Sequence, residues 1–196
     1  GNKGDLSIGT RFNNTGHFNG KIDDIRIYNH ALNEAEISEL YCNDGWCKQE
    51  MSLVAYFPFN GNVRDESGNK NHGNIIGGAR FESGLFGDAI NLNGVNQYVR
   101  IPNSIFLNPK FITLSLWIKL RSLPSSFAAI IQKYNDNFDN DVTYQYIFSD
   151  TRDGTINGSI RIDKMTSRSI TLPEKIRVNT WTHLALTFNG TEVIGY

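Results

Sequence analysis

The chain has 196 residues, of which 39% are hydrophobic and 20% charged, and a formal net charge of -1. That length suits one sizeable core or two small ones, and the composition is that of a globular chain, not a disordered one. The near-neutral charge gives no reason to expect nucleic acid as a partner, and no apolar run approaches the ~18–20 residues that span a bilayer, so membrane insertion is not expected either. The polar start, Gly1-Asn2-Lys3-Gly4-Asp5, reads as a fragment or mature segment, with any secretion signal upstream.

Taken in order, Leu6-Ser7-Ile8-Gly9 is a short alternating piece and Asn13-Asn14-Thr15-Gly16 a turn cluster. Gly20 to Tyr28 alternates at Ile25 and Ile27, as a strand with one buried face does. Residues 31–41 form the convincing helix. Asn33 is its N-cap, Glu36 three residues on completes a capping box, and Leu32 is the hydrophobic staple. Ile37, Leu40 and Tyr41 make a narrow apolar stripe, so the helix should lie on the outside of a sheet.

Cys42 and Cys47 bracket Asn43-Asp44-Gly45-Trp46. Two cysteines are too few for a zinc site, but the turn between them suits a small disulfide, which fits an oxidising, extracellular setting. From here to the end the chain is rich in strands. Leu53 to Phe59, Phe81 to Phe86, Ala89 to Leu92, Gln97 to Ile101, Ala128 to Ile131, Tyr144 to Phe148, Gly158 to Ile162 and Trp181 to Phe188 all carry the pattern. Phe111 to Lys119 is the strongest, with Thr113 and Ser115 alternating between apolar residues. Turn signals recur at sandwich spacing, and no alternation of strand with long helix suggests a parallel sheet. The fold expected is all-β. Trp117 and Trp181 are expected inside it.

The loop Asp65 to Gly73 holds the densest set of hard oxygen donors: the Asp65 carboxylate, Ser67, and the Asn69 and Asn71 amides. Such a loop either wraps a cation such as Ca²⁺, which takes six to eight oxygens, or is a polar Asx-turn corner with no metal. The run Asn135 to Asp141 is a second acidic stretch, read as a solvated loop. Carbohydrate recognition would need exposed aromatics beside amides and carboxylates. Tyr134, Asp136, Phe138 and Asp139 are the candidates, with Tyr144 and Tyr146 sharing one face of a strand. Three Asn-x-Ser/Thr triplets begin at Asn13, Asn157 and Asn189.

Several linked motifs carry a resemblance. Leu53–Phe59, Asn60-Gly61-Asn62 and Asp65-x-Ser67-Gly68-Asn69-x-Asn71-x-Gly73 resemble the start of a laminin-G-like, concanavalin-A-like jelly-roll domain. Ala89 to Tyr98, Ile101-Pro102, Leu116-Trp117-Ile118 and Trp181-Thr182-His183-Leu184-Ala185 continue it. Gly20 to Tyr28, with Ala31-Leu32 and Glu36-Ile37, is similar to the end of the same kind of domain. The closing motif therefore stands before the opening one. Residues 1–42 look like the tail of one repeat, 43–50 a Cys-containing linker, and 51–196 the body of the next. Tail and body together amount to about one domain, completed within the chain as a permutant, completed between chains by exchange, or left as two incomplete pieces with unpaired edges.

The resemblance implies a two-sheet antiparallel jelly roll with one peripheral helix. It implies a structural Ca²⁺ at Asp65, Ser67, Asn69 and Asn71, joined by Asp23 or Asp24 from the tail's last strand. It also implies a non-catalytic adhesion or carbohydrate-binding module, extracellular or at the cell surface, with a glycan or surface protein as partner. The alternative is a repeat that self-associates head to tail by strand exchange. An enzyme is the weakest reading. Glu34-x-Glu36-x-x-Glu39 has glucanase-like spacing but falls on the helix, where the three acids splay apart, and none of the four histidines stands in a nucleophile pattern.

Overall fold

The computed structural model describes residues 4–11, 14–42, 52–133, 145–162 and 166–196, without the side chains of residues 42 and 145. The strands are β1 (Leu6–Ile8), β2 (Asn19–Tyr28), β3 (Leu53–Phe57), β4 (Asn74–Ile76), β5 (Arg80–Ser83), β6 (Asp88–Asn93), β7 (Tyr98–Ile101), β8 (Ile112–Leu120), β9 (Ala128–Lys133), β10 (Gln145–Asp150), β11 (Ile156–Arg161), β12 (Ser167–Thr171), β13 (Trp181–Phe188) and β14 (Val193–Gly195). The helix α1 spans Glu34–Cys42, and a 3-10 turn spans Ile105–Leu107.

The strands form two antiparallel sheets. The first runs β12-β11-β10-β9-β1-β7-β4; the second runs β14-β13-β8-β2-β6-β5, with β3 also paired to β2. The period-2 alternation of β8 explains its central place. Ile112, Leu114, Leu116 and Ile118 face the core between the sheets, while Thr113, Ser115 and Trp117 face outward. β2 contributes Ile22, Ile25 and Ile27 to the same core. It pairs with β8 along one edge and shares the other between β6 and β3. β1 lies between β7 and β9. Residues 4–28 thus supply an interior strand to each sheet.

Helix α1 begins as its sequence predicts. Asn33 N–H donates to Glu36 Oε2 at 2.8 Å, and Glu36 N–H donates to Asn33 Oδ1 at 3.1 Å, a reciprocal cap. Leu32, Ile37 and Leu40 pack with Tyr28 and Ala185 into a second apolar cluster on the outer face of the second sheet. Tyr41 does not complete that stripe: it is 58% exposed and stacks on Trp117 with ring centroids 5.3 Å apart.

Trp117 is buried, but on this outer face, not between the sheets. Trp181 is only half-buried, contrary to expectation, because it begins β13 at the rim where no opposing sheet covers it. The segment 81–86 is not one strand: β5 ends at Ser83 and Gly84 to Gly87 turn back into β6.

Candidate functional site

The Asp65 corner folds onto β3. Asp65 Oδ1 accepts the main-chain N–H groups of Tyr56 and Ser67, both at 2.9 Å, and Oδ2 accepts that of Asn71 at 2.8 Å. Three donors from the same loop converge on the Val54 carbonyl: Ser67 Oγ at 3.1 Å, Asn69 Nδ2 at 3.0 Å and Asn71 Nδ2 at 3.0 Å. His72 Nδ1 accepts the Asp65 N–H at 3.1 Å, so this histidine supports the turn. Asp65 and Asn71 are both buried at 5% exposure.

Asp23 and Asp24 have hydrogen-bond partners of their own. A bulge in β2, with Asp24 at φ 54°, turns the two carboxylates toward different partners. Asp23 Oδ2 accepts the N–H groups of Leu85 at 2.9 Å and Phe86 at 3.2 Å, tying down the β5–β6 turn. Gly84 is required there, because a Cβ would meet this same oxygen. Burial pushes the Asp23 carboxyl up to about 6, against those two hydrogen bonds. Asp24 forms a buried ion pair with Arg26, whose guanidinium also lies 4.6 Å over the Tyr56 ring.

The six residues proposed for calcium therefore fall into three hydrogen-bonded groups. Among the described residues no three His, Cys, Asp or Glu side chains gather around one point, although a Ca²⁺ site also draws on amide, hydroxyl and main-chain oxygens. The Asp65 corner still has hard-oxygen chemistry. Oδ2 takes one N–H, and a carboxylate oxygen has two lone pairs. Asp65, Ser67, Asn69 and Asn71 are the four of the six that the fold holds in one corner, with Asn71 Oδ1 accepting the Ser104 hydroxyl at 2.5 Å.

Folding also creates a pair that the sequence does not reveal. Trp117 and His183 are register partners on β8 and β13, which places His183 diagonal to Ser115 on the same face. His183 Nε2 and Ser115 Oγ are 2.8 Å apart. Burial, then the positive charge of Arg26, lowers His183 to about 4, so the imidazole is neutral at physiological pH. Ser115 is 1% exposed, which closes it to a substrate. The residues are 68 positions apart, and only the strand register could have signalled the contact.

Beyond His183 the surface opens into a groove of about 830 Å³. It is lined by the segment from Leu172 to Arg177, by Thr180, Thr182, His183 and Leu184, and by Gly195 and Tyr196. Leu172, Ile176, Leu184 and Tyr196 supply apolar surface. The hydroxyls of Thr180 and Thr182, with Glu174 and Arg177, supply polar contacts. Lys175 is tied to Asp153 in an exposed ion pair.

A family model described as the concanavalin A-like lectin/glucanases superfamily, of the laminin G type, matches residues 1–38 and 93–196. The chain belongs to this superfamily. No curated protein and no solved structure matches it. The superfamily's description spans lectins and glucanases, so membership leaves binding and hydrolysis both open. In this laminin-G-type chain, Glu34, Glu36 and Glu39 do lie on α1, where Glu36 caps the helix and the other two are exposed.

Tyr146 is buried in the core at 1% exposure, which removes it as a surface aromatic. Tyr134, Asp136, Phe138, Asp139 and Tyr144 lie outside the described residues, as do Cys47 and the Cys42 side chain.

Proposed function

We propose that the chain is a non-catalytic binding module, adhesive or carbohydrate-binding, that works outside the cell or at its surface. The groove beside Tyr196 carries this reading. Its volume falls in the usual range for ligand pockets, ~300–1,000 Å³. Its lining combines an aromatic ring with hydroxyls, one acidic side chain and two basic ones, a mixture that suits the alternating apolar faces and hydroxyl edges of a sugar. The burial of Ser115, and the weak basicity of His183, held down to about 4, support binding over catalysis.

A glycan array on the wild type, repeated with Tyr196→Ala and Arg177→Ala, tests this. Each substitution is expected to lower binding about tenfold, the loss of one contact of ~1.4 kcal/mol; Arg177→Ala should leave the melting temperature nearly unchanged, while Tyr196→Ala should lower it as well, because that ring also packs on the cluster of Leu32, Ile37 and Leu40. Binding that both variants leave untouched would move the ligand site elsewhere; no hits at all would sink the lectin reading. Calcium enters as a stabiliser of the Asp65 corner. A rise in melting temperature with added Ca²⁺, abolished in Asp65→Ala, supports it, whereas identical melting with and without the ion removes it. Thiol titration of the secreted protein tests the Cys42–Cys47 bridge, and free thiols argue against it.

A second reading is self-assembly by strand exchange. It is supported by residues 4–28, which fill an interior slot in both sheets, a slot of the same shape in any second copy. Ile25→Asp and Leu116→Asp each place a charge in the core and should fail to fold alone. Refolded together, they should recover folded protein by exchange. No recovery, with wild type monomeric across a concentration series, rules this out.

A further inference from the structure

Two of the three Asn-x-Ser/Thr triplets lie among the described residues, and the fold treats them oppositely. Asn157-Gly158-Ser159 lies within β11, hydrogen-bonded on both edges to β10 and β12. The Asn157 carbonyl oxygen Oδ1 accepts the Thr171 hydroxyl at 2.8 Å, and its main-chain oxygen accepts that of Ser149 at 3.3 Å. Gly158 is packed so closely that a Cβ would stand 2.6 Å from Leu186 Cδ1. An enzyme that must take this triplet as a free peptide would have to pull a strand from the interior of a sheet.

Asn189-Gly190-Thr191 forms the tip of the β13–β14 hairpin, and all three residues and Glu192 are exposed. Asn189 Oδ1 accepts the N–H of Thr191 at 3.0 Å and of Glu192 at 2.9 Å. Gly190 holds φ +98°, a conformation that favours glycine, and a Cβ there would come 2.7 Å from the Phe111 ring. The turn is therefore fixed by the glycine and by the carbonyl end of the asparagine amide. The amide nitrogen takes no part in those bonds.

We propose that Asn189 is an N-glycosylation acceptor, presented by this turn, and that Asn157 is not. The proposal rests on the extracellular reading above. The donor is an oligosaccharide carried on a polyisoprenyl diphosphate. Asn189 Nδ2 bonds to the sugar C1, the C1–O bond to the diphosphate breaks, the diphosphate leaves with the electron pair, and the amide gives up one proton to a base of the transferase. Oδ1 is unchanged, so both turn hydrogen bonds survive. The nearest part of the groove, Gly195, is the register partner of Leu186, three residues of strand or about 10 Å from Asn189 at ~3.3 Å each. A glycan at the tip is attached outside the groove lining.

The full chain, fused behind a cleavable signal sequence and secreted from a eukaryotic cell, is analysed by site-resolved glycopeptide mass spectrometry. In parallel, folded protein made without glycans is offered to an isolated oligosaccharyltransferase with its lipid-linked donor. Asn189 is expected to be occupied in both, with at least tenfold lower occupancy at Asn157. Thr191→Ala should remove the Asn189 glycan, and Asn157→Gln should change nothing. A secreted chain bare at Asn189, or occupancy at Asn157 equal to it, overturns the proposal. Glycan-array binding by the same secreted protein is read separately. Absence of that binding with Asn189 occupied, and in Thr191→Ala without the glycan, would count against the groove and not against the acceptor.

Discussion

Asp65 and Asp150 are both buried carboxylates, at 5% and 0% exposure, and they live in opposite circumstances. Asp65 accepts three main-chain N–H groups and organises a loop around itself. Asp150, in β10 opposite Ile156 of β11, has no such set of donors: the main-chain N–H of the adjoining Thr151 is the one group that favours its charge. Burial, reinforced by the charge of Asp153, pushes its carboxyl up to about 7. Asp153, exposed and held by Lys175 and by the Thr151 hydroxyl, is pulled well below the usual carboxylate range. What separates these groups is the supply of donors, not the depth of burial: a buried charge is tolerated where hydrogen bonds replace water and costs stability where they do not.

That contrast can be broken most forcefully at Asp24. Arg26→Met leaves its carboxylate buried beside no cation, turning a paired group into an orphan, at an expected cost of about 3–5 kcal/mol in urea denaturation. A loss under 1 kcal/mol would show that the pair contributes little. Asp65→Ala comes next. It strips three buried N–H groups of their acceptor and should destabilise by about 2–4 kcal/mol, less than the sum of three separate losses because the loop can relax. Asp150→Asn should have the reverse sign. At pH 8 it removes an unpaired buried charge, so the variant should melt several degrees above wild type, and the gap should close by pH 5.

The pH dependence of the wild type follows from the same groups and is the smallest effect. Asp150 and Asp23 have folded values of about 7 and about 6, above the ordinary 3.8. The stability they contribute is full in acid and is lost as pH rises through those values. His183, held down to about 4 from 6.5, acts oppositely: its contribution is present above 6.5 and is lost as pH falls toward 4. Thermal melts between pH 4 and 8 should therefore decline on both sides. Asp150→Asn should flatten the alkaline side, and His183→Gln should relieve the acid one. An acid side that persists unchanged in His183→Gln would assign it to other groups.

Much of the architecture was legible in the chain. The alternation of Ile112 to Ile118 announced a central strand, and Asn33 with Glu36 announced the start of the only α-helix among the described residues. Strands β4, β12 and β14 were not read from the sequence. They are short and largely exposed, so they carry little apolar alternation, and pairing defines them. The Asp65 corner was identified as a unit, because Asx turns are local. The partners of Asp23 and Asp24 were not legible, because a bulge in β2 decides where those side chains point. The Ser115–His183 contact and the groove beside Tyr196 left no local trace, since each joins segments far apart in the chain.

The sequence by itself determined the strand faces, the helix cap, the polar corner and the superfamily, because each depends on residue types within about ten positions or on a pattern of them. Only the tertiary structure decided which carboxylates are satisfied, which histidine meets a serine and which Asn-x-Ser/Thr triplet stands free. Hydrogen-bond partners and solvent access are set by strand register across the sheets, and register brings together residues between which the chain has no memory of distance.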